Sequence, residues 1–225
     1  MRPGHLELRA AAGARVERVA APLLAVAFFR EDRPLRGDAG LADWRLCGRL
    51  SRLLAGGRLG GGGSAAALLT TGGRLRAPVL LVREMGSRRG FGLGRVREAA
   101  SGLVASALRA GFRDVALSPP GGWLEPGAEP GALFRATLLG AAGALAEQGG
   151  PLRLALVGIG PADLASVLDA ATPELAALPV AVELAGRGGF ARTEPGPPGP
   201  PAEAPTIPGP APGRQAGGRR PAVEP

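Results

Sequence analysis

Few residues of this chain have a type and a spacing that could support catalysis. Acid–base catalysis needs two ionisable groups that converge, and the single histidine, His5, lies near the N-terminus with no candidate partner. The single cysteine, Cys47, lies between Arg45 and Arg49, and positive charge activates a thiol. Cys47 also falls on an apolar helical stripe, however, which predicts a buried and unreactive side chain. One Cys and one His exclude an ordinary zinc site, so we predict no catalytic and no metal-binding residue.

Two glycine-rich segments could offer backbone N–H groups to a phosphate. Gly60 to Gly63 precede Ser64, but no lysine follows, which excludes the loop of nucleotide-hydrolysing enzymes. The series Gly90, Gly92 and Gly94 opens a predicted helix, but Arg95 stands where the dinucleotide fingerprint needs its third glycine. Neither segment identifies a cofactor, and we predict none.

A third glycine pair, Gly158 and Gly160, lies between a predicted strand and a predicted helix. Anions bind at such helix N-termini, whereas two glycines also serve a tight turn without any ligand. The pair therefore leaves binding of phosphate or ADP-ribose open as an alternative.

The run Glu31-Asp32-Arg33 follows the end of a predicted strand. Sites of α/β sheets lie on that side of the strands. A solvated loop with local ion pairs explains the same residues equally well.

The chain has a formal net charge of +8. All 27 of its basic residues are arginine, because the sequence contains no lysine. Net positive charge favours association with nucleic acid or other anions. The arginines are spread along the chain, with only short clusters, one of which is Arg45, Arg49 and Arg52. We take these three residues as the candidate surface for a partner or an anion.

The apolar pattern alternates between short runs and helical stretches. The predicted strands are residues 5–11, 23–29, 65–69, 79–82, 115–117 and 152–157, and residues 179–184 close the ordered part. Helices are predicted over about 93–110 and 131–146, and Pro161 opens a short further helix. Strands that alternate with helices predict an α/β fold, a three-layer α/β/α sandwich with a mixed, largely parallel sheet.

One more helix is predicted from Asp38, as the N-cap residue, to about Leu54. Its apolar residues recur at every third or fourth position and include Leu41, Trp44, Cys47, Leu50 and Leu54. Arg45, Arg49 and Arg52 then lie on the opposite side.

The last part of the chain has a different composition. We predict one domain over residues 1–190 and a disordered Pro- and Gly-rich tail over 191–225, which lacks the apolar residues needed to offset its ordering entropy. The first apolar run, Leu23 to Phe29, is too short to span a bilayer. We therefore expect a cytoplasmic protein without membrane association.

The segment from Phe28 to Gly37, continuing from Gly40 to Leu50, resembles the N-terminal domain of the leucyl aminopeptidase family. The strand residues Leu80-Leu81-Val82 and the stretch from Leu133 to Leu145 are similar in order and spacing. The resemblance implies a macro-domain-like α/β/α sandwich. It also implies that this domain is not the catalytic one, because the family's chemistry belongs to a domain with two metal ions whose lysine- and asparagine-containing motifs do not occur here.

Three hypotheses of function follow. The first is a non-catalytic binding or assembly module that contacts a protein partner or itself. The second is nucleic-acid binding through an arginine-rich surface. The third is binding of ADP-ribose or another phosphate ligand by the macro-like fold.

Overall fold

Seven strands form one central sheet in the computed structural model, which describes residues 3–60, 66–122 and 130–185. The strands are β1 (Gly4–Ala11), β2 (Leu23–Phe28), β3 (Ala66–Thr70), β4 (Val79–Glu84), β5 (Asp114–Leu117), β6 (Gly150–Val157) and β7 (Val180–Leu184). All six predicted strands are confirmed, with ends that move by at most two residues, and the segment that was predicted only to close the ordered part forms β7.

The strand order is β3-β4-β2-β5-β6-β1-β7. Only β3 runs antiparallel to its neighbour, β4, and the other pairings are parallel. The predicted mixed, largely parallel sheet is therefore confirmed. Because six strands point the same way, their carboxyl ends meet along one edge of the sheet.

Five α-helices cover the two faces: α1 (Gly37–Arg45), α2 (Arg49–Ala55), α3 (Leu93–Arg109), α4 (Pro130–Gln148) and α5 (Pro161–Leu175). A short 3-10 helix, Val16–Arg18, lies on the same face as α1 and α2. The helices α3, α4 and α5 pack on the opposite face. The three layers are those predicted from the alternating pattern.

Strand β2 shows why the central strands are continuously apolar. Leu23 and Ala25 belong to the core beneath α3, α4 and α5, whereas Leu24, Val26 and Phe28 belong to the core beneath α1 and α2. Alternate side chains of a strand point to opposite faces, so a strand covered on both sides needs apolar residues at every position.

The predicted continuous helix from Asp38 to Leu54 is wrong. The chain leaves the helix after Arg45 and re-enters it at Arg49, with Cys47 and Gly48 in the left-handed region at φ of 54° and 73°. The break rotates α2 relative to α1, so Trp44 is 68% exposed and Cys47 is exposed instead of buried.

Asp38 is not the N-cap of α1 either, since Arg36 holds that position and Asp38 lies in the first turn. The helix predicted to be short after Pro161 has 15 residues, with Pro161 in its first turn as predicted. The predicted tail, residues 191–225, lies outside the described residues. No helix within residues 3–60, 66–122 and 130–185 has both the length and the apolarity to cross a membrane.

Candidate functional site

The carboxyl edge of the sheet gathers the loops that can build a site. Helices α1, α3 and α5 each begin a few residues after the end of a parallel strand, β2, β4 and β6 respectively. Their first N–H groups therefore face this edge, and none of the three helices has a side-chain hydrogen bond from its N-cap residue. Such uncapped helix starts favour negative groups.

The loops after β2 and β4 are held together by a partly buried ion pair. Asp32 is 1% exposed, accepts a hydrogen bond from the Phe29 N–H at 3.0 Å and pairs with the Arg88 guanidinium at 2.5 Å. The same guanidinium lies over the Phe29 ring, 5.4 Å from its centre. Phe91 closes the cluster with an edge-on contact to Phe29 at 5.2 Å between ring centres.

Glu31 makes a second connection between these loops. Its carboxylate accepts hydrogen bonds from the Ser87 hydroxyl and, at 2.9 Å, from the Arg88 N–H. The hydroxyl, and then the backbone N–H, lower the pKa of Glu31 to about 2. Glu31 is therefore ionised at neutral pH and suits a structural role better than that of a proton donor. The local ion pairing expected for this run is found for Asp32, but with Arg88 of the other loop. Glu31 is held by hydrogen bonds to that loop.

Gly60, the one described residue of the glycine run considered for phosphate binding, lies next to a carboxylate. Glu84, at the end of β4, is 1% exposed and accepts a hydrogen bond from Arg30 at 3.0 Å. A Cβ added to Gly60 would lie 2.7 Å from the other Glu84 oxygen. Negative charge at this position disfavours a phosphate beside Gly60. Residues 61–65 lie outside the described part of the chain.

Four exposed arginines give the edge positive charge. Arg33 and Arg36 follow β2, and Arg89 and Arg95 follow β4. No carboxylate pairs with any of the four among the residues the structure describes. They are therefore available to an anionic ligand.

Strand β5 connects to α1 at the same edge. Ser118, directly after β5, donates a hydrogen bond from its hydroxyl to the Asp38 carboxylate in the first turn of α1. Ser118 is 5% exposed, and its backbone N–H is bonded to the Ala25 carbonyl of β2 at 3.0 Å. The contact fixes the start of α1 against the centre of the sheet.

A cavity of about 410 Å³ opens between α4 and α5, beside the loop that follows β6. Cavities of a few hundred Å³ with an apolar lining and a few polar groups are typical of small-molecule sites. The lining has apolar side chains (Phe134, Ile159 and Val167) and polar ones (Arg135, Asp163 and Ser166).

The polar groups of this cavity favour hydrogen-bond donors over phosphates near α5. Asp163 lies in the first turn of α5, 3.2 Å from the position that a Cβ of Gly160 would take. Gly158 adopts a φ of 88°, which requires glycine, and bonds to the Ala11 carbonyl at 3.2 Å. Gly158 and Gly160, where binding of phosphate or ADP-ribose was left open, thus form a tight turn with a carboxylate beside Gly160.

Arg135 and Glu174 form an ion pair between α4 and α5 at this cavity. The hydrogen bond from Arg135 lowers the pKa of Glu174, which keeps the pair ionised at neutral pH. The sequence does not indicate the cavity, because its lining comes from α4 and from the segment around α5, which lie far apart in the sequence. Asp163, three residues after Gly160 at a helix start, was the one local signal.

The other sequence candidates lie elsewhere. His5, on β1, has a partner after all, since its Nε2 lies 3.0 Å from Glu183 of β7. Arg45, Arg49 and Arg52 lie near the edge of the sheet where the amino ends of the parallel strands meet. No group of three or more His, Cys, Asp or Glu side chains in the described ranges is placed to hold a metal ion.

Comparison with known proteins gives a match by structure and none by sequence. No family model and no curated protein matches the chain. A mutant macrodomain from Oceanobacillus iheyensis superposes with a TM-score of 0.54 at 10% identity, over 76% of this chain and 93% of that one. The Mycobacterium tuberculosis DarG macrodomain gives 0.52 at 11% identity, over 68% and 99%.

A Trypanosoma brucei macrodomain, solved in complex with ADP-ribose, gives a TM-score of 0.55 at 16% identity, over 74% of this chain and 68% of that one. Identities this low show the fold alone. Together with the strand order and the three layers, they show that this chain has a macrodomain-like fold.

Proposed function

We propose that the chain binds a nucleotide ligand of the ADP-ribose class at the carboxyl edge of its sheet. The observation that carries the proposal is the cavity between α4 and α5, which opens at the same edge as the four unpaired arginines. The fold supports it, because the Trypanosoma brucei macrodomain of the same fold was solved with ADP-ribose and with ADP.

The spacing of the strands matches a ligand with two separated parts. The cavity lies beside the end of β6, and the arginine-bearing loops follow β2 and β4. Neighbouring strands lie about 4.8 Å apart, so β4 lies about 14 Å from β6 along the edge. A mononucleotide is shorter than this, whereas a nucleoside diphosphate with a second sugar can extend along it.

The cavity and the arginine-bearing loops differ in chemistry, and this difference favours one orientation of the ligand. Asp163 can accept hydrogen bonds from the amino group of a base or from ribose hydroxyls, and Phe134 and Val167 supply apolar contact. Arg36 and Arg89 can bind phosphate oxygens. We therefore propose that the base lies in the cavity and that the diphosphate faces the loops after β2 and β4.

Catalysis is not part of the proposal. Glu31 is ionised and bonded to Ser87, and Asp32 is paired with Arg88. Both carboxylates are engaged in holding loops together, which supports binding without turnover.

Calorimetry with ADP-ribose, ADP and AMP tests the proposal. We expect binding of ADP-ribose that weakens at least tenfold when Ser166→Trp fills the cavity. Thr172→Trp, another exposed position of α5 outside the cavity lining, is the matched control and should keep the affinity. Absence of heat at millimolar ADP-ribose, or equal losses in both variants, contradicts the proposal. Recovery of unchanged ligand after incubation tests the absence of turnover.

A second proposal keeps the sequence-based hypothesis of a protein-binding or self-associating module related to aminopeptidase N-terminal domains. Its support is the edge strand β3, where Leu68 is 47% exposed. Exposed edge strands can pair with another chain. Light scattering of the wild type and of Leu68→Lys tests it, since the variant should be monomeric where the wild type associates. A wild type that is monomeric at all concentrations would rule out self-association.

A further inference from the structure

The corner between α1 and α2 carries an exposed tryptophan surrounded by arginine, on the side of the molecule away from the carboxyl edge. Helix α1 starts at that edge and extends about 13 Å from it, at 1.5 Å per residue. The corner at its far end contacts the turn between β3 and β4, which precedes the first residue of β4, Val79. It therefore lies toward the amino edge of the parallel strands.

Three guanidinium groups converge at this corner. Arg52 donates to the Cys47 carbonyl at 2.8 Å, and Arg74 donates to the Cys47 sulfur at 2.9 Å. Arg49 donates to the carbonyl of Thr70, at the end of β3, at 2.9 Å. All three arginines are exposed. We call Trp44, Arg49, Arg52 and Arg74 the corner patch.

The charges of the corner patch are not neutralised within the described residues. Each of its three arginines is held by an uncharged backbone or sulfur acceptor, and none has a carboxylate partner there. Arg45 differs, because Glu17 lies 3.4 Å from it and offsets its charge. Asp43, the other acid of the corner, is buried and bonded to the start of α2. Three positive side chains thus face solvent at this corner, and the buried Asp43 offsets only part of their charge.

The indole of Trp44 adds a stacking surface to this charge. Its side chain is 68% exposed, and Arg45 lies over one ring face at 4.8 Å from the centre. Most of the Trp44 side chain is therefore accessible to a ligand. Aromatic rings beside a basic groove are the way in which proteins bind single-stranded nucleic acid without sequence preference, since every base can stack.

We propose that the corner patch binds single-stranded nucleic acid, with a base stacked on Trp44 and phosphates on Arg49, Arg52 and Arg74. The patch suits this occupant better than a protein. A protein interface is depleted of charge at its centre, whereas Trp44 is bordered here by arginines. This inference is independent of the proposed nucleotide site, which lies at the carboxyl edge.

Fluorescence anisotropy of a labelled 20-nucleotide oligo(dT) with the full chain tests the proposal. Affinity should fall steeply with salt, and Trp44→Ala should weaken it about tenfold, as expected for loss of one stacked base. Replacement of Arg49, Arg52 and Arg74 by Gln should reduce the slope of log affinity against log salt by about two.

The control replaces Arg97 and Arg109 of α3, and Arg113 in the turn after it, with Gln. It removes the same number of charges from the opposite face of the sheet. It should keep most of the affinity and the salt slope.

A Trp123→Phe background leaves Trp44 as the sole tryptophan, so quenching of its emission by the oligonucleotide reports stacking directly.

Three outcomes would overturn the proposal: no binding at low salt, equal losses in the two triple variants, or unchanged affinity and emission at Trp44. A protein ligand that depends on the patch while oligonucleotide does not bind would also overturn it. Thermal unfolding of each variant checks the fold. Excess ADP-ribose should not displace the oligonucleotide, and each site can fail its test while the other passes.

Discussion

The two faces of the sheet are covered in different ways. On one face, α3, α4 and α5 have 15 to 19 residues each and pack through small side chains. On the other face, α1 and α2 have nine and seven residues, and polar side chains hold their ends. Each face has its own apolar core. The faces differ in what else fixes the helices, which is close packing of long helices on the first face and hydrogen bonds at helix ends on the second.

The close packing of the first face is most demanding at Gly140. A Cβ added there would lie 2.2 Å from the Arg97 carbonyl oxygen of α3 and 3.0 Å from the Ala100 Cβ. Because a backbone oxygen cannot move aside, α3 and α4 would have to separate. We expect Gly140→Ala to lower the free energy of unfolding by about 3 kcal/mol, measured by urea denaturation.

Gly143 provides the control on the same helix, since a Cβ there meets nothing within 4 Å. We expect Gly143→Ala to raise stability by about 0.5–1 kcal/mol, because alanine favours helix more than glycine does. Equal effects of the two substitutions would show that close packing does not distinguish this face.

The second face depends on Asp43 of α1, which caps α2. The carboxylate accepts hydrogen bonds from the Leu50 N–H at 2.7 Å, the Ser51 N–H at 3.2 Å and the Ser51 hydroxyl at 2.5 Å. Since Asp43 is 8% exposed, Asp43→Ala leaves these donors without an acceptor. We expect a loss of about 2 kcal/mol in urea denaturation.

Asp43→Asn keeps one acceptor oxygen and should recover part of that loss. If Asp43→Ala has no effect on stability, the hydrogen bonds at the end of α2 do not hold this face together.

The same contrast explains what the sequence could predict. Helices α3 and α4 were predicted to within two residues, because their apolar positions recur regularly and glycines follow them. The helix from Asp38 to Leu54 was predicted as continuous, because its apolar spacing crosses the break without interruption. Gly48 was the one warning. It adopts a left-handed φ directly before α2, and Asp43 caps that helix, but spacing alone shows neither feature.

The site was less predictable than the fold. Strand ends placed the loops after β2, β4 and β6 at one edge, and the run from Glu31 to Arg33 was correctly located there. The cavity was not predicted, because it depends on how α4 lies against α5. The exposure of Trp44 was missed for the same reason as the helix break.

The break itself stores strain at Cys47, whose φ of 54° is rare for residues with a Cβ. Glycine adopts this conformation freely, although it also gains entropy in the unfolded chain. We expect Cys47→Gly to raise the midpoint of urea denaturation, by about 0.5 kcal/mol in stability. Cys47→Ala removes the same thiol and keeps the strain, so it should give no gain. A gain in both variants would assign the effect to the thiol and not to the backbone.

The smallest expected effect concerns the loops at the carboxyl edge, which belong to neither face of the sheet. Glu31 has a folded-state pKa of about 2, below its ordinary value of 4.5, because of its bonds to Ser87 and the Arg88 N–H. A depressed carboxyl pKa contributes stability that is complete above 4.5 and is lost as pH falls toward 2. Glu31→Gln should therefore lower the melting temperature slightly at pH 7, and the difference from the wild type should shrink between pH 4.5 and pH 2. Because Glu31 is exposed, salt should reduce the effect. A difference that stays constant with pH would mean that the charge of Glu31 does not hold the two loops together, and that the ion pair of Asp32 and Arg88 is sufficient.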